Sequence, residues 1–230
     1  MLDTRFPRPL GDVGHARTWP FPVRYRIVKG AEPRRAISSD PALLQPFIDA
    51  ARELERDGVR MITTSCGFLA IFQREMQAAV SVPVLTSSLL QVPIAARTIH
   101  PEQKVAIITS RDELTERHFT GTGWSSRDIP VVVSVLPQDA QMTTVYASKV
   151  PEGERPQVDQ DRLEREMVDA AQRTVREHPD VGALVLECTN YVPYGTAVRR
   201  AVRLPVFDLY TLVMQSYLAI AGTEFPRELR

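Results

Sequence analysis

Two cysteines are the residues of this sequence best suited to chemistry. Cys66 lies in "MITTSCGFLA" and Cys188 in "LVLECTNYVP", each directly after a short apolar segment and before a helical one. A thiol can exchange a proton when its pKa is brought toward neutrality, which a helix N-terminus promotes. Two such thiols on opposite sides of a bound molecule would supply one acid and one base. For either cysteine alone, burial as a small apolar residue is the alternative.

The surroundings of the two cysteines repeat along the chain. Cys66 and Cys188 are 122 positions apart, and each is followed 17 positions later by a proline that opens the next apolar segment, Pro83 and Pro205. Matching spacing and matching flanks indicate two copies of one β-α-β unit. Because ligands of parallel sheets bind beyond the carboxyl ends of the strands, we expect both thiols at such an edge, facing one another across a cleft.

The elements that must position these thiols follow from the apolar pattern. Short aliphatic runs predict strands in "VRMITT", "PVLT", "KVAIITS", "PVVVSVL", "GALVLE" and "PVFD". Amphipathic helices alternate with them, and the segments 41–58 and 162–178 are the clearest. Strands separated by helices predict an α/β fold with parallel sheets. The first forty residues are rich in proline and predict irregular structure.

Charge and composition narrow the class of protein. The 230 residues contain 28 Lys and Arg balanced by 28 Asp and Glu, so no basic excess indicates nucleic acid or an acidic membrane. "MLDTRFPRPLGD" does not have the pattern of a signal peptide, and the apolar runs are far shorter than the roughly 20 residues of a membrane span. We expect a cytoplasmic protein with free thiols and a small-molecule ligand, without nucleic-acid or membrane partners.

The motifs "ITTSCGFLA" and "LVLECTNYVPYG", together with the duplicated architecture, resemble the aspartate/glutamate racemase superfamily. Its members include amino-acid racemases, hydantoin racemase, maleate isomerase and arylmalonate decarboxylase. The resemblance implies two pseudo-symmetric Rossmann-like lobes, each a parallel sheet flanked by helices, with the active site in the cleft between them. It also implies that neither pyridoxal phosphate nor a metal is used, and that the protein is a homodimer. By this analogy residues 1–98 plus 206–230 form the first lobe and residues 99–205 the second.

The resemblance assigns catalysis to Cys66 and Cys188. The usual Cys-Asn-Thr of the family appears as Cys-Gly-Phe at 66–68, and its Cys-Thr-His appears as Cys-Thr-Asn at 188–190. The polar side chain expected at the middle position of the first element is therefore missing, because Gly67 occupies it. We expect the substrate of this protein to differ from that of its relatives at this point.

Further residues are candidates for substrate binding because they lie beside the cysteines, at neighbouring strand ends or in the N-terminal "LDT", which matches an Asp-Ser element of the family. They are Ser65, Gly67, Thr86, Thr189, Asn190, Asp3 and Thr4. Capping of a helix N-terminus is the equal alternative for Thr189 and Asn190, and it is favoured for Ser87 and Ser88. Glu187 is expected on the opposite side of the strand from Cys188.

These observations predict a cofactor-independent racemase or epimerase of an acidic amino acid, an isomerase that transfers protons between Cys66 and Cys188. A hydantoin-type racemase and a maleate-type cis-trans isomerase are alternatives, since both use two cysteines. A two-lobed binding protein without catalytic activity is a third. A dithiol redox protein is disfavoured because the cysteines lack the local Cys-x-x-Cys arrangement.

Overall fold

The computed structural model describes residues 1–6, 8–145 and 158–222, which form an α/β fold as predicted. The strands are β1 (Ile62–Thr63), β2 (Val84–Leu85), β3 (Lys104–Thr109), β4 (Val131–Val135), β5 (Val181–Leu186) and β6 (Val206–Phe207). The α-helices are α1 (Pro33–Ile37), α2 (Leu44–Arg56), α3 (Gln73–Ala78), α4 (Val92–Thr98), α5 (Glu116–Gly121), α6 (Gln141–Val145), α7 (Gln160–Glu177), α8 (Gly195–Val202) and α9 (Leu209–Ala221). Short 3₁₀ helices cover Ala16–Thr18, Pro41–Leu43, Gly67–Phe72, Ser88–Gln91 and Thr189–Tyr194.

All strand pairs in the described residues are parallel, which confirms the prediction. β1 pairs with β2, and a larger sheet has the strand order β4-β3-β5-β6. All six residues of β5 are buried and apolar or glycine, without alternation. This is the pattern of a strand covered on both faces by helices.

The two longest predicted helices are present and have clear start signals. The Asp40 carboxylate accepts a hydrogen bond from the Ala42 N–H, which begins the 3₁₀ helix that leads into α2. Asp159 accepts one from the Arg162 N–H at the start of α7. Such caps stabilise a helix by about 1 kcal/mol. Gly58 follows the end of α2 with a φ of +81°, a backbone conformation that favours glycine.

Each half of the chain has its own apolar core. Phe47 of α2 and Met76 of α3 pack in one cluster, which also includes residues of β1 and β2. Leu163 and Met167 of α7 pack against Leu184 of β5 in another. Leu163, Met167 and Leu184 are fully buried, and each contributes about 2 kcal/mol through the area that it removes from water.

A third cluster connects the segment after Cys66 with the larger sheet. Phe68 packs with Ile107 of β3, Val185 of β5 and Trp124. The segment that carries Cys66 is therefore held against β3 and β5, the two central strands of the larger sheet. Cys188 follows β5 in the same sheet.

The predicted division into lobes stays a prediction, and residues 7, 146–157 and 223–230 of the two ranges lie outside the described residues. β6 begins at residue 206, where the predicted first lobe resumes. It nevertheless pairs with β5, which was assigned to the second lobe, and Leu184 lies opposite Val206. Helix α9, in contrast, packs with the N-terminal segment around Val13 and Trp19. In the described part of the chain, no helix is long and apolar enough to cross a bilayer.

Candidate functional site

Both cysteines line one small cavity at the carboxyl ends of β1, β3 and β5. Its volume of about 50 Å³ corresponds to roughly four water molecules, so the cavity is suited to a small ligand. The polar lining comes from both halves of the chain and from the N-terminal segment, and its members are Thr4, Arg8, Ser65, Cys66, Ser110, Arg111, Thr143, Glu187, Cys188 and Asn190. Apolar lining comes from Leu2, Phe6, Ile37, Phe68 and Met142.

The two cysteines have equivalent places in the fold. Each is in extended conformation and immediately precedes a 3₁₀ helix, Gly67–Phe72 after Cys66 and Thr189–Tyr194 after Cys188. Both are free thiols and partly exposed. The hydroxyl of Thr189 donates to the main-chain carbonyl of Ser65 at 2.8 Å, so the two cysteine-bearing segments are directly joined.

The expected lowering of the cysteine pKa values is wrong. Burial, and next the negative charge of Glu187, raise the pKa of Cys66 to about 12. The same two causes raise the pKa of Cys188 well above its ordinary value. Main-chain N–H groups at the start of each 3₁₀ helix favour the thiolates, but their effect is smaller than that of burial. Both thiols are therefore protonated at neutral pH unless a ligand changes their surroundings.

The expected position of Glu187 is also wrong. Its side chain lines the same cavity as Cys188 and is only 1% exposed. β5 ends at Leu186, so the alternation of side chains along a strand does not extend to this residue. Its Oε2 accepts a hydrogen bond from the hydroxyl of Thr109, the last residue of β3, at 2.9 Å. Burial raises the pKa of Glu187 to about 7, and the smaller effect of the Thr109 hydroxyl lowers it.

Gly67 makes room for this carboxyl group. A Cβ atom at position 67 would overlap both Oε1 and the main-chain carbonyl oxygen of Glu187. The predicted departure from the family pattern at Gly67 thus has a steric reason. A residue from the second half of the chain fills the space that a side chain would need.

Two arginines give the cavity its positive charge. Arg8 donates to the carboxylate of Asp12 at 2.8 Å and to the hydroxyl of Thr4 at 3.0 Å. Arg111 donates to the main-chain carbonyl of Thr143 at 3.1 Å, and within the described residues it has no carboxylate partner. A guanidinium paired only with a neutral carbonyl keeps its full charge, so Arg111 is suited to hold a ligand anion.

Two further polar groups are poised for a ligand. The side-chain oxygens Oδ1 of Asn190 and Oγ1 of Thr143 are buried and have no hydrogen-bond partner among the described residues. Both residues line the cavity. Because buried polar groups are nearly always hydrogen-bonded, their partners are expected to come from a bound molecule or from water.

Six of the predicted site residues line the cavity: Thr4, Ser65, Cys66, Gly67, Cys188 and Asn190. The other three do not. Thr86 is buried and bonded to the side chain of Gln73, Thr189 bonds across to the first cysteine segment, and Asp3 is exposed. Ser87 caps the 3₁₀ helix that follows it, as favoured, whereas the hydroxyl of Ser88 donates to a main-chain carbonyl of β5.

Sequence reasoning missed the contributions of Arg8, Arg111 and Thr143. Arg111 lies two residues after β3, so the strand-end argument applied to the cysteines would have identified it. Arg8 belongs to the irregular N-terminal segment, where no pattern indicates which residues turn toward the site. In the part of the chain that the structure describes, no group of three or more His, Cys, Asp and Glu side chains is placed to hold a metal ion.

Solved structures define the class of fold. Arylmalonate decarboxylase superposes with a TM-score of 0.54 at 18% identity, covering 80% of this chain and 78% of that one. An aspartate racemase homologue from Pyrococcus horikoshii OT3 gives 0.51 at 16% identity, covering 89% and 86%. The chain therefore shares the α/β fold of these two structures.

Sequence relatives identify the family more closely. No protein-family model matches this chain. It is 33% identical over 216 residues to dimethylsulfoniopropionate lyase from Durusdinium sp. clade D, which covers 90% of this chain and 69% of that protein. It is also 33% identical over 226 residues to dimethylsulfoniopropionate lyase 3 from Emiliania huxleyi (strain CCMP1516), covering 91% of this chain. The chain belongs to the dimethylsulfoniopropionate lyase family, and it spans 56% of the length of the Emiliania protein.

These relatives overturn the predicted activity. The expectation of an amino-acid racemase, and with it the class of isomerase, is wrong, because the family is named for a lyase. The hydantoin-type and maleate-type alternatives fail for the same reason. The superfamily resemblance was correct for the fold. It identified a scaffold that brings two thiols to one cavity, but not which bond of the substrate breaks.

Proposed function

We propose that this protein is a lyase that cleaves dimethylsulfoniopropionate by elimination. The observation that carries the proposal is the 33% identity to a dimethylsulfoniopropionate lyase over 90% of the chain. The substrate has a carboxylate at one end and a dimethylsulfonium group at the other, with two CH₂ groups between them. The cavity contains two thiols, which can serve as a base, and two arginines, which suit the carboxylate of this molecule.

The chemistry requires one base. A cysteine thiolate, from Cys66 or Cys188, removes a proton from the carbon next to the carboxylate. The electron pair of that C–H bond forms a C=C bond, and the C–S bond breaks with its electron pair going to sulfur. The products are acrylate and neutral dimethyl sulfide, and the cysteine then loses its new proton to solvent. Atoms and charges balance without a redox partner.

The remaining polar groups have assignable roles. Arg111 and the side-chain amide N–H group of Asn190 donate to the substrate carboxylate and stabilise the enolate-like charge that develops when the proton leaves. The raised pKa of each thiol is offset by the substrate itself. A sulfonium ion carries a permanent positive charge into the cavity, and a cation close to a thiol favours its thiolate.

The test is to incubate the purified protein with dimethylsulfoniopropionate. Dimethyl sulfide is measured by headspace gas chromatography and acrylate by NMR, and equal amounts of the two are expected. Cys66→Ser and Cys188→Ser should both lower turnover, but unequally, because elimination uses one base whereas racemisation uses two. Absence of dimethyl sulfide with a folded protein would contradict the proposed function. Unchanged turnover in both variants would contradict the assignment of the base.

The expected homodimer and the cytoplasmic location stay proposals. Analytical ultracentrifugation of the purified protein would test the first, and localisation of the tagged chain the second.

A further inference from the structure

Glu187 has an unusual environment for a carboxyl group. It is buried, and within the part of the chain that the structure describes Thr109 supplies the single hydrogen bond to its side chain, at Oε2. Its other oxygen, Oε1, has no partner among the described residues, although it lies at the wall of the cavity. A buried carboxylate without a cation is costly for a protein to keep, since its desolvation is not offset by a partner.

The arginines that line the cavity do not supply that cation. Arg8 is paired with Asp12, and Arg111 donates to the carbonyl of Thr143. Within the described residues, no ion pair includes Glu187. The chain nevertheless makes space for this carboxyl group through Gly67, where any side chain would displace it. The arrangement is therefore built to hold an acidic group at this wall and to leave its charge unpaired.

We propose that Glu187 binds the positively charged onium group of the substrate and thereby selects small carboxylates that carry a permanent cation. This inference rests on the proposed function and names the substrate class of the same site. A sulfonium or quaternary ammonium group has no N–H and cannot make an ordinary hydrogen bond. A carboxylate balances its charge, and apolar surface packs against its methyl groups; Phe68 and Leu2 supply such surface in the same cavity.

The two ends of the substrate are thus recognised by different groups. Arg111 attracts the carboxylate, and Glu187 attracts the onium group. A carboxylate of the same shape with an uncharged group in place of the onium group would make the first contact and the apolar contacts, but not the second. Close charge pairs of this kind are worth at least about a factor of ten in binding.

The experiment uses two carboxylates of matched shape that the enzyme is not expected to cleave. One is 3-(trimethylammonio)propionate, a zwitterion with a poor leaving group, and the other is 4,4-dimethylpentanoate, in which an uncharged tert-butyl group replaces the trimethylammonio group. Their dissociation constants are measured by isothermal titration calorimetry at pH 8. The wild-type protein should bind the trimethylammonio compound at least tenfold more tightly than its tert-butyl isostere. In Glu187→Gln this ratio of dissociation constants should fall to near unity.

Two control variants separate charge from structure. Glu164→Gln makes the same chemical change at an exposed position of α7 and should keep the preference of the wild type. Glu187→Asp retains the charge and should restore part of the preference. Equal binding of the two compounds by the wild-type protein would overturn the inference, and this outcome does not depend on whether any variant folds. A preference that persists in Glu187→Gln would overturn it as well.

Failure of this inference can be told apart from failure of the proposed function. If dimethylsulfoniopropionate is cleaved but the onium preference is absent, the lyase stands and the role of Glu187 is wrong. If the preference is present and lost in Glu187→Gln, yet no dimethyl sulfide forms, the site binds onium carboxylates and the proposed reaction is wrong.

Discussion

Replacing Glu187 with glutamine should change how the stability of the protein depends on pH. Burial raises the pKa of this carboxyl group from 4.5 to about 7 in the native state. Between these two pH values the native protein keeps a proton that the unfolded chain has released. The native state therefore binds more protons, and stability falls as the pH rises. The contribution of the neutral carboxyl group is fully present below pH 4.5 and is lost as the pH rises through about 7.

The magnitude follows from the size of the shift. A difference of roughly 2.5 pH units corresponds to about 3 kcal/mol of unfolding free energy, at about 1.4 kcal/mol per unit. Glutamine has nearly the same shape and does not ionise, so the variant lacks this loss. For a chain of this length, about 3 kcal/mol corresponds to a change of roughly 6–12 °C in Tm. The Tm of Glu187→Gln minus that of the wild type should increase by this amount between pH 4.5 and 8.

The assay is thermal unfolding followed by circular dichroism at half-unit steps of pH, without ligand. Glu164→Gln, which removes an exposed carboxylate, serves as the control, and its curve should stay parallel to that of the wild type. Parallel curves for Glu187→Gln and the wild type would refute the reasoning, because they would mean that Glu187 titrates alike in the native and unfolded states. An increase confined to pH values below 4.5 would also refute it.

The other predictions concern the loops that carry the cysteines. Gly67→Ala should lower the unfolding free energy by about 1–3 kcal/mol and reduce turnover, because its Cβ would overlap the neighbouring carboxyl and carbonyl groups. Gly58→Ala is the control: it costs about 1–2 kcal/mol in backbone strain but should keep its activity. Equal activity of the two variants would contradict this prediction. Iodoacetamide should alkylate Cys66 at pH 8 about a thousandfold more slowly than it alkylates a free thiol, because the raised pKa leaves little thiolate. The rate is measured by mass spectrometry. A rate within about tenfold of that of a free thiol would show that the pKa of Cys66 is not raised. Thr189→Val should cost about 1–3 kcal/mol in urea unfolding, since it leaves the buried carbonyl of Ser65 without its donor, and an unchanged midpoint would show that the bond is unimportant.

Local patterns determined which parts of the fold could be predicted. The sequence pattern depends on neighbouring residues in the apolar runs of β3 and β5 and in the amphipathic helix α7. The parallel α/β arrangement could therefore be predicted. The equivalent placement of Cys66 and Cys188 could also be predicted, because a repeat preserves the local sequence around each copy.

Properties that depend on three-dimensional burial could not be predicted in this way. The pKa of Cys66 is set by desolvation and by Glu187, a residue 121 positions away, and both outweigh the local N–H groups that the sequence indicated. The orientation of Glu187 depends on where β5 ends, and strand ends are the least certain feature of a sequence pattern. The identity of the leaving group is not encoded by the scaffold at all.

The racemase expectation and the lyase proposal share their first chemical step, and this explains both the success and the failure of the resemblance. Each begins with removal of a proton next to a carboxylate, for which a thiol at a strand end and an arginine suffice. The reactions diverge in what the carbon does next: an amino acid takes a proton back, whereas a sulfonium substrate expels its sulfide from the adjacent carbon. Gly67 replaces the amide expected in the family pattern, and the carboxyl group of Glu187 occupies that space. The exchange of a neutral hydrogen-bonding side chain for an acid suits a cationic leaving group, so the departure from the family motif lies where the reactions differ.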